Sequence, residues 1–272
     1  MSNKKIEYNN VNNIIYEKKI NGSKYNIINH YKGCFYGCTY CNAKIPFNTV
    51  YTDHKWGEVV EVRNSSLEKF EKRISKLNNK NFYLSSLTDP YNPVEKNEKL
   101  TQKILKILSQ QKIESITIKS KSPLLLRDLK LFKKFDNLNI IIPIFSNNSN
   151  IHEILENKSP AKHKRFNTIK KLRKKNIPVS LNIFPYLPEI TPVEELIDEF
   201  SSFTKNFQLV PPNWKANSIK KSLFDFIRKI EPELLIRYHT IYFKNGEYKS
   251  FIEKEAERLK ERFKINIKIL DN

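Results

Sequence analysis

The sequence predicts an α/β fold: six β/α units building a parallel sheet, open or curled towards a barrel, then a mostly helical C-terminal extension. Three observations carry this. Short runs of β-branched and aromatic residues alternate with stretches of helical periodicity. One run, Leu138 to Phe145, is apolar almost without interruption, as expected of a parallel strand covered on both faces. The alternation then stops at the turn-rich Pro211-Pro212-Asn213-Trp214.

The first strand is expected near Lys24 to Tyr31, just ahead of the cysteines. Phe82-Tyr83-Leu84 reads as the second, followed by a helix from Glu98 to Ser109 that turns Leu100, Ile104, Leu105 and Leu108 inward. Ser115 to Ile118 is the third strand, with a helical stretch from Leu124 to Phe135 behind it. The fourth strand, Leu138 to Phe145, leads into helical pieces at Ile151–Leu155 and Lys162–Lys175. Pro178 to Phe184 is the fifth, Pro192 to Phe203 its helix, and Phe207 to Val210 the sixth. Beyond the proline break, Ser218–Lys229, Pro232–Tyr238 and Tyr248–Phe263 read as helices, with Gly246 marking a turn. A short strand over Ile265–Leu270 is expected to close the structure. The chain therefore divides into an N-terminal segment (1–23), a core (24–210) and a mostly helical extension (211–272).

The 272 residues, 39% of them hydrophobic and 12% aromatic, hold enough apolar material for one sizeable core. The formal charge of +20 comes from 49 basic against 29 acidic side chains. Gathered on one face, it favours a polyanion such as DNA or RNA. Spread over solvated helix faces, as in Lys170-Lys171-Leu172-Arg173-Lys174-Lys175, it reflects only a bias towards Lys, Asn and Ile. The N-terminus has no apolar export segment, and no run is long enough to span a membrane. A cytoplasmic location with no membrane partner is the expectation.

All three cysteines fall within Gly33-Cys34-Phe35-Tyr36-Gly37-Cys38-Thr39-Tyr40-Cys41, a C-x3-C-x2-C spacing that excludes a disulfide framework. Three thiolates on one short loop can each take one iron of a [4Fe–4S] cluster, and with no fourth cysteine one iron stays open. The competing reading is a closed Cys3His zinc site using His30 or His54. Gly33 and Gly37, two of only 5 glycines, give the backbone room to wrap round a bulky inorganic group.

This spacing, with an aromatic residue before the third cysteine, resembles the signature of radical S-adenosylmethionine (SAM) enzymes. Further segments are similar to the spore photoproduct lyase-like branch, broadly named DNA repair photolyases. Asn29-His30-Tyr31-Lys32-Gly33-Cys34 resembles its N-P-Y-x-G-C entry, and Thr88-Asp89-Pro90-Tyr91-Asn92-Pro93-Val94-Glu95 its T-D-P-Y-Q-P-x-E element. Ile118-Lys119-Ser120-Lys121-Ser122, then Leu126-Arg127-Asp128, resembles its T-K-S and L-x-R-D stretch; Glu156 to Arg165 resembles its E-P-x-x-P…R segment, with Asn157 and Lys158 departing. The likeness runs from Asn29 to Val210.

The resemblance implies a partial (β/α)6 TIM-type barrel and two cofactors, a [4Fe–4S] cluster on Cys34, Cys38 and Cys41, and SAM chelated at its open iron. Reductive cleavage of SAM would then give a 5′-deoxyadenosyl radical that abstracts hydrogen from a substrate, with a reductant such as a flavodoxin or ferredoxin supplying the electron. It places Tyr40, Ser86, Thr88, Asp89, Lys119 and Ser146 around the cofactor, with Tyr40 near the adenine and Lys119 reaching the methionine carboxylate. Glu156 and Arg165 are expected to pair across the connection between the fourth and fifth strands. Ser86 stands about where spore photoproduct lyases carry the cysteine that returns a hydrogen atom, a role a serine hydroxyl cannot fill; Tyr36, Tyr40 and Tyr91 remain as donors. DNA or RNA is the first substrate class implied. The alternatives are a peptide, protein or small metabolite, and a non-catalytic metal-binding module. Tyr238, His239 and Tyr242 are candidates to line a substrate pocket.

Overall fold

The computed structural model describes residues 4–64, 67–146, 148–240 and 248–270. Eleven strands are present among them: β1 (Lys5–Asn10), β2 (Ile15–Ile20), β3 (Ser23–Ile28), β4 (Tyr31–Lys32), β5 (Val59–Asn64), β6 (Asn81–Leu84), β7 (Ser115–Lys119), β8 (Leu138–Ile144), β9 (Val179–Ile183), β10 (Asn206–Leu209) and β11 (Asn266–Ile269). Eight of them form one sheet in the order β11-β10-β9-β8-β7-β6-β3-β2. Every pairing in it is parallel except the β2–β3 hairpin. The six strands read from the sequence are thus the consecutive parallel run β3 to β10, the arc of a partial (β/α) barrel.

Alternation sorts each strand into two faces. Phe82, Ile116, Ile140, Ile142, Leu181 and Phe207 point one way and are buried under helices that contribute Ile104, Leu108, Ile169, Leu172, Leu196 and Phe200. Burying each such side chain contributes about 1.5–3 kcal/mol. The helices are those expected, with local differences. The helix predicted from Glu98 is broken at Lys99, whose φ of 52° lies in the left-handed region, so Glu95–Glu98 and Leu100–Leu108 are separate pieces. The stretch predicted from Leu124 to Phe135 begins as a 3-10 turn, Pro123–Asp128, capped by Ser122, before Leu129–Phe132 becomes α-helical.

Three features differ more. The predicted strand Lys24–Tyr31 is divided: β3 ends at Ile28, and Tyr31–Lys32 pairs antiparallel with β5 in a second, three-stranded sheet, β1-β5-β4. The N-terminal segment carries β1 and β2, and β2 turns into β3 through Asn21-Gly22, both at positive φ, the tight hairpin turn that Asn-Gly favours. The terminal strand does not close the barrel. β11 pairs with β10 alone, so the sheet stays open between β11 and β2 among the described residues. Helix Tyr248–Phe263 packs Ile252, Ala256 and Leu259 into the main core ahead of it, adding a further β/α unit. Helix Asn217–Ile230 instead places Ile219, Leu223, Phe226 and Ile227 in a second cluster, with Tyr36, Tyr40 and Phe184.

Among the described residues no helix is long and apolar enough to cross a membrane. Tyr238 is fully buried with its hydroxyl donating to Pro188 O (2.6 Å), and His239 lies against the Phe224 ring at 5.5 Å. Tyr242 and Gly246 lie outside the described residues.

Candidate active site

The small sheet β1-β5-β4 delivers the chain to the cysteine loop. Gly33 follows β4 at φ +79°, and a Cβ there would stand 2.3 Å from Val59 O on β5, so only glycine passes. Gly37, between the first two cysteines, lies against Gly57: a Cβ on Gly57 would come within 2.9 Å of Gly37 Cα. Trp56 Nε1 donates to Cys38 O at 3.0 Å, and the loop is closed by Gly37 N to Cys34 O (3.1 Å) and Cys41 N to Cys38 O (3.2 Å). Thr39 N donates to Leu155 O (3.1 Å), tying the loop to the helix after β8.

The three thiols open onto a cavity of about 110 Å³ that is continuous with solvent. Its other walls are Ser85 to Asp89 after β6, Lys119 to Lys121 at the end of β7, Pro143 of β8 and Phe184 after β9. Ligands are expected at this end of a parallel sheet, outside the strand C-termini. Cys34 and Cys38 are buried and Cys41 is partly so. Burial pushes all three thiols up, Cys38 to about 12 despite the neighbouring Lys121 ammonium. Ionising them calls for further positive charge at the site, which a metal centre supplies.

The donor set fits an iron–sulfur cluster. Among the described residues no three His, Cys, Asp or Glu side chains converge on a single-ion site. Three thiols distributed round one cavity instead suit a cluster that takes one thiolate per iron. His30, the nearest zinc alternative, is fully buried elsewhere, 2.7 Å from Thr101 Oγ1. The glycine contacts leave the loop its close wrap, and two buried loop oxygens, Thr39 Oγ1 and Asn42 Oδ1, have no hydrogen-bond partner.

Lys121 is the site residue that sequence reading passed over. Its Nζ donates to Cys38 Sγ (3.3 Å), Tyr40 Oη (2.7 Å) and Glu156 Oε1 (2.5 Å). Glu156 in turn pairs with Arg165, whose Nη1 also donates to Pro143 O (3.0 Å), and both side chains are buried. The pair expected across the β8–β9 connection is therefore present, with a lysine joining it to the cysteine loop. Lys119-Ser120-Lys121-Ser122 offers two lysines at the end of β7, and only their tertiary partners tell them apart.

The other expected residues sort by location. Tyr40 is buried between Phe145 and Phe184 on the cavity wall. Ser86, Thr88, Asp89 and Lys119 also line the cavity. Asp89 is largely committed to the chain: its Oδ1 accepts from Tyr91 N (2.9 Å) and Ser120 Oγ (2.7 Å), its Oδ2 from Lys121 N (2.8 Å). Burial pushes its carboxyl up, and these hydrogen bonds oppose the shift. Lys119 Nζ lies 5.1 Å over the Phe184 ring, and burial together with Lys121 lowers its ammonium to about 8. Ser86 Oγ is 3.0 Å from Tyr16 Oη on β2. Ser146 is not brought to this cavity; it accepts from Asn148 N (3.0 Å) and lines a smaller pocket with His152 and Glu156. Of the three tyrosines, Tyr36 and Tyr40 face the cavity, whereas Tyr91 is fully buried with its hydroxyl donating to Asp128 Oδ2 (3.0 Å).

The family model described as the Radical SAM superfamily matches residues 28–200. Protein MJ0683 of Methanocaldococcus jannaschii is 35% identical over 199 residues, which are 73% of this chain and 74% of that one. Protein Rv2578c of Mycobacterium tuberculosis is 24% identical over 233 residues, 81% of this chain and 68% of its own. Among solved structures, spore photoproduct lyase complexed with dinucleoside spore photoproduct superposes with a TM-score of 0.58 at 14% identity, covering 84% of this chain. The match spans 66% of that lyase, just under two thirds, and the likeness is one of fold. A variant of the same lyase with bound AdoMet and dinucleoside spore photoproduct gives 0.57 at 11% identity, over 81% of this chain and 65% of that one.

Proposed function

The chain belongs to the radical SAM superfamily, and from that premise we propose that it holds a [4Fe–4S] cluster on Cys34, Cys38 and Cys41 and abstracts hydrogen from a nucleic-acid substrate. The observation that carries this is the glycine-cradled loop that presents three thiols, and no fourth cysteine, to one cavity beside a lysine cation. When bound, the cluster supplies the electron that cleaves SAM into methionine and a 5′-deoxyadenosyl radical.

The chain's own residues bind and orient. Cys34, Cys38 and Cys41 would hold the cluster, one thiolate to an iron, and with no fourth cysteine the site would leave room for SAM to bind it. Lys119 and Lys121 give the cavity wall two cations suited to a carboxylate. Tyr40, clamped by Phe184 at 5.1 Å and hydrogen-bonded through its hydroxyl, offers a fixed aromatic surface beside the cluster loop. Ser86 leaves the cavity without a spare thiol to return a hydrogen atom, so that duty falls to Tyr36 or Tyr40, and a flavodoxin or ferredoxin supplies only the electron.

Nucleic acid is favoured over a peptide or metabolite by the +20 charge and by the fold shared with a lyase solved with a dinucleoside photoproduct. Anaerobic reconstitution tests the core of the proposal: about four irons per chain, with 5′-deoxyadenosine released on reduction in the presence of SAM, is expected. Bound zinc alone would overturn it. Retention on heparin or DNA that is lost with rising salt is expected for the substrate class; no retention at low salt removes it.

A further inference from the structure

A closed (β/α) barrel fills its interior with layers of Val, Ile and Leu. The inner face here is different. Thr117 of β7, Asn139 of β8, Ser180 and Asn182 of β9 and Gln208 of β10 all alternate away from the helix-covered core. Register sets them side by side: Thr117 opposite Asn139, and Asn182 opposite Gln208. Ser180 Oγ donates to Asn139 Oδ1 at 2.8 Å.

Asn182 is the unusual member. Its side chain is fully buried, its Nδ2 donates to Gln208 Oε1 at 3.0 Å, and its Oδ1 has no hydrogen-bond partner. A buried carbonyl oxygen left without a donor is costly in a folded protein and calls for a reason. Its place in the fold supplies one. Asn182 is in register with Pro143 and shares its face with Phe184, two residues on, and both of those line the cysteine cavity. Same-face neighbours on a strand stand roughly 7 Å apart, so the amide lies within one side chain of the cavity wall.

We infer that this inner face is a nucleobase-reading surface, with Asn182 and Gln208 as its specificity-determining pair; the inference rests on the radical SAM reading above. The linked amides leave one polar atom at each end without a hydrogen bond, the acceptor Asn182 Oδ1 and the donor Gln208 Nε2. Exchanging O for N in both amides preserves that complement, so it does not depend on how either is oriented. An adjacent donor and acceptor match the edge of a base, as the amide of one Asn or Gln does for adenine N6 and N7. A base read this way is unpaired or turned out of its stack, since the edge of a stacked, paired base does not reach into a half-barrel. The patch itself is neutral. It suits a heterocycle better than a phosphate, for which the chain has cations elsewhere, and it would leave an apolar ligand facing unpaired amides.

The test uses reconstituted holoenzyme and fluorescein-labelled single-stranded homopolymers of each base, read by anisotropy. The wild type is expected to separate the preferred homopolymer from the others by about tenfold. Asn182→Leu flattens that preference while the salt dependence of binding, set by phosphate contacts, stays unchanged. Gln208→Leu, at a half-buried position, repeats the measurement should the first variant lose its fold by thermal melt. Equal binding of all four homopolymers by the wild type overturns the inference, as does an unchanged preference in the variants. So does a loss of SAM affinity with no change towards oligonucleotides, or binding of a polar peptide in their place. Failure of the wild type to load iron or release 5′-deoxyadenosine is a separate result and counts against the radical SAM reading instead.

Discussion

Lys121 Nζ donates a hydrogen bond to Cys38 Sγ over 3.3 Å. A cation at a cluster thiolate favours the more negative, reduced cluster. At the effective dielectric of a partly buried site, one charge shared with Glu156 is worth on the order of 1.4 kcal/mol, or roughly 60 mV for one electron. Lys121→Gln is expected to lower the cluster's reduction potential by about that amount while iron content holds. A redox titration followed by electron paramagnetic resonance checks it; an unmoved potential would show that Lys121 serves only the fold.

Glu156 lies between two cations, Lys121 at 2.5 Å and Arg165, and all three are largely buried. Taking the carboxylate away leaves the Arg165 guanidinium without an acid partner below the cavity. Glu156→Ala is expected to destabilise the chain by about 3–5 kcal/mol, the cost of a buried charge left unpaired. Urea unfolding of the variant against the wild type measures this, and Glu156→Asp should recover part of the loss.

The core strands were legible because each is a short β-branched or aromatic run, and the cysteine loop because its spacing is local in sequence. The missed elements differ in kind. β1 and β5 meet across more than fifty residues; β1 is mostly exposed and shows no core-strand pattern, whereas β5 buries Val59, Val60 and Val62, a signal the sequence carried but the reading did not assign. The split after Ile28 follows His30, which turns away to Thr101 and is invisible as a break in a run of β-formers. Asn21-Gly22 did mark its hairpin. Lys121 differs from its neighbour Lys119 only in which tertiary partners it meets, Cys38 and Glu156 against the Phe184 ring, and nothing within the tetrapeptide distinguishes them. Ser146 fell on the strand end as expected, but its side chain closes its own turn.

Gly57 follows the cysteine loop in sequence and packs back against it, meeting Gly37 twenty residues earlier. Its φ of +92° and the 2.9 Å approach to Gly37 Cα leave no room for a methyl group. Gly57→Ala is expected to cost about 1–3 kcal/mol through backbone strain and to displace the loop. Iron retained after anaerobic reconstitution and desalting should fall well below the wild-type value. Full iron loading with an unchanged melting temperature would show that the two glycines do not brace the site.

His30 gives the chain a pH dependence independent of any cofactor. Thr101 Oγ1 donates to Pro90 O, so it accepts from His30 Nε2–H, and the imidazole is held neutral in a fully buried site. Burial lowers its pKa to about 3, against an ordinary value of 6.5. The sign follows from the protons bound. Between these two values the unfolded chain takes up a proton that the folded chain refuses, so stability is complete above the unfolded value and declines as pH falls towards the folded one. The slope from this group is about 1.4 kcal/mol per pH unit. His30→Gln keeps a donor for Thr101 and removes the titration. Urea midpoints from about pH 7 down to about pH 4 should therefore fall less steeply in the variant. Parallel curves for the two proteins would mean that acid acts through the carboxylates alone.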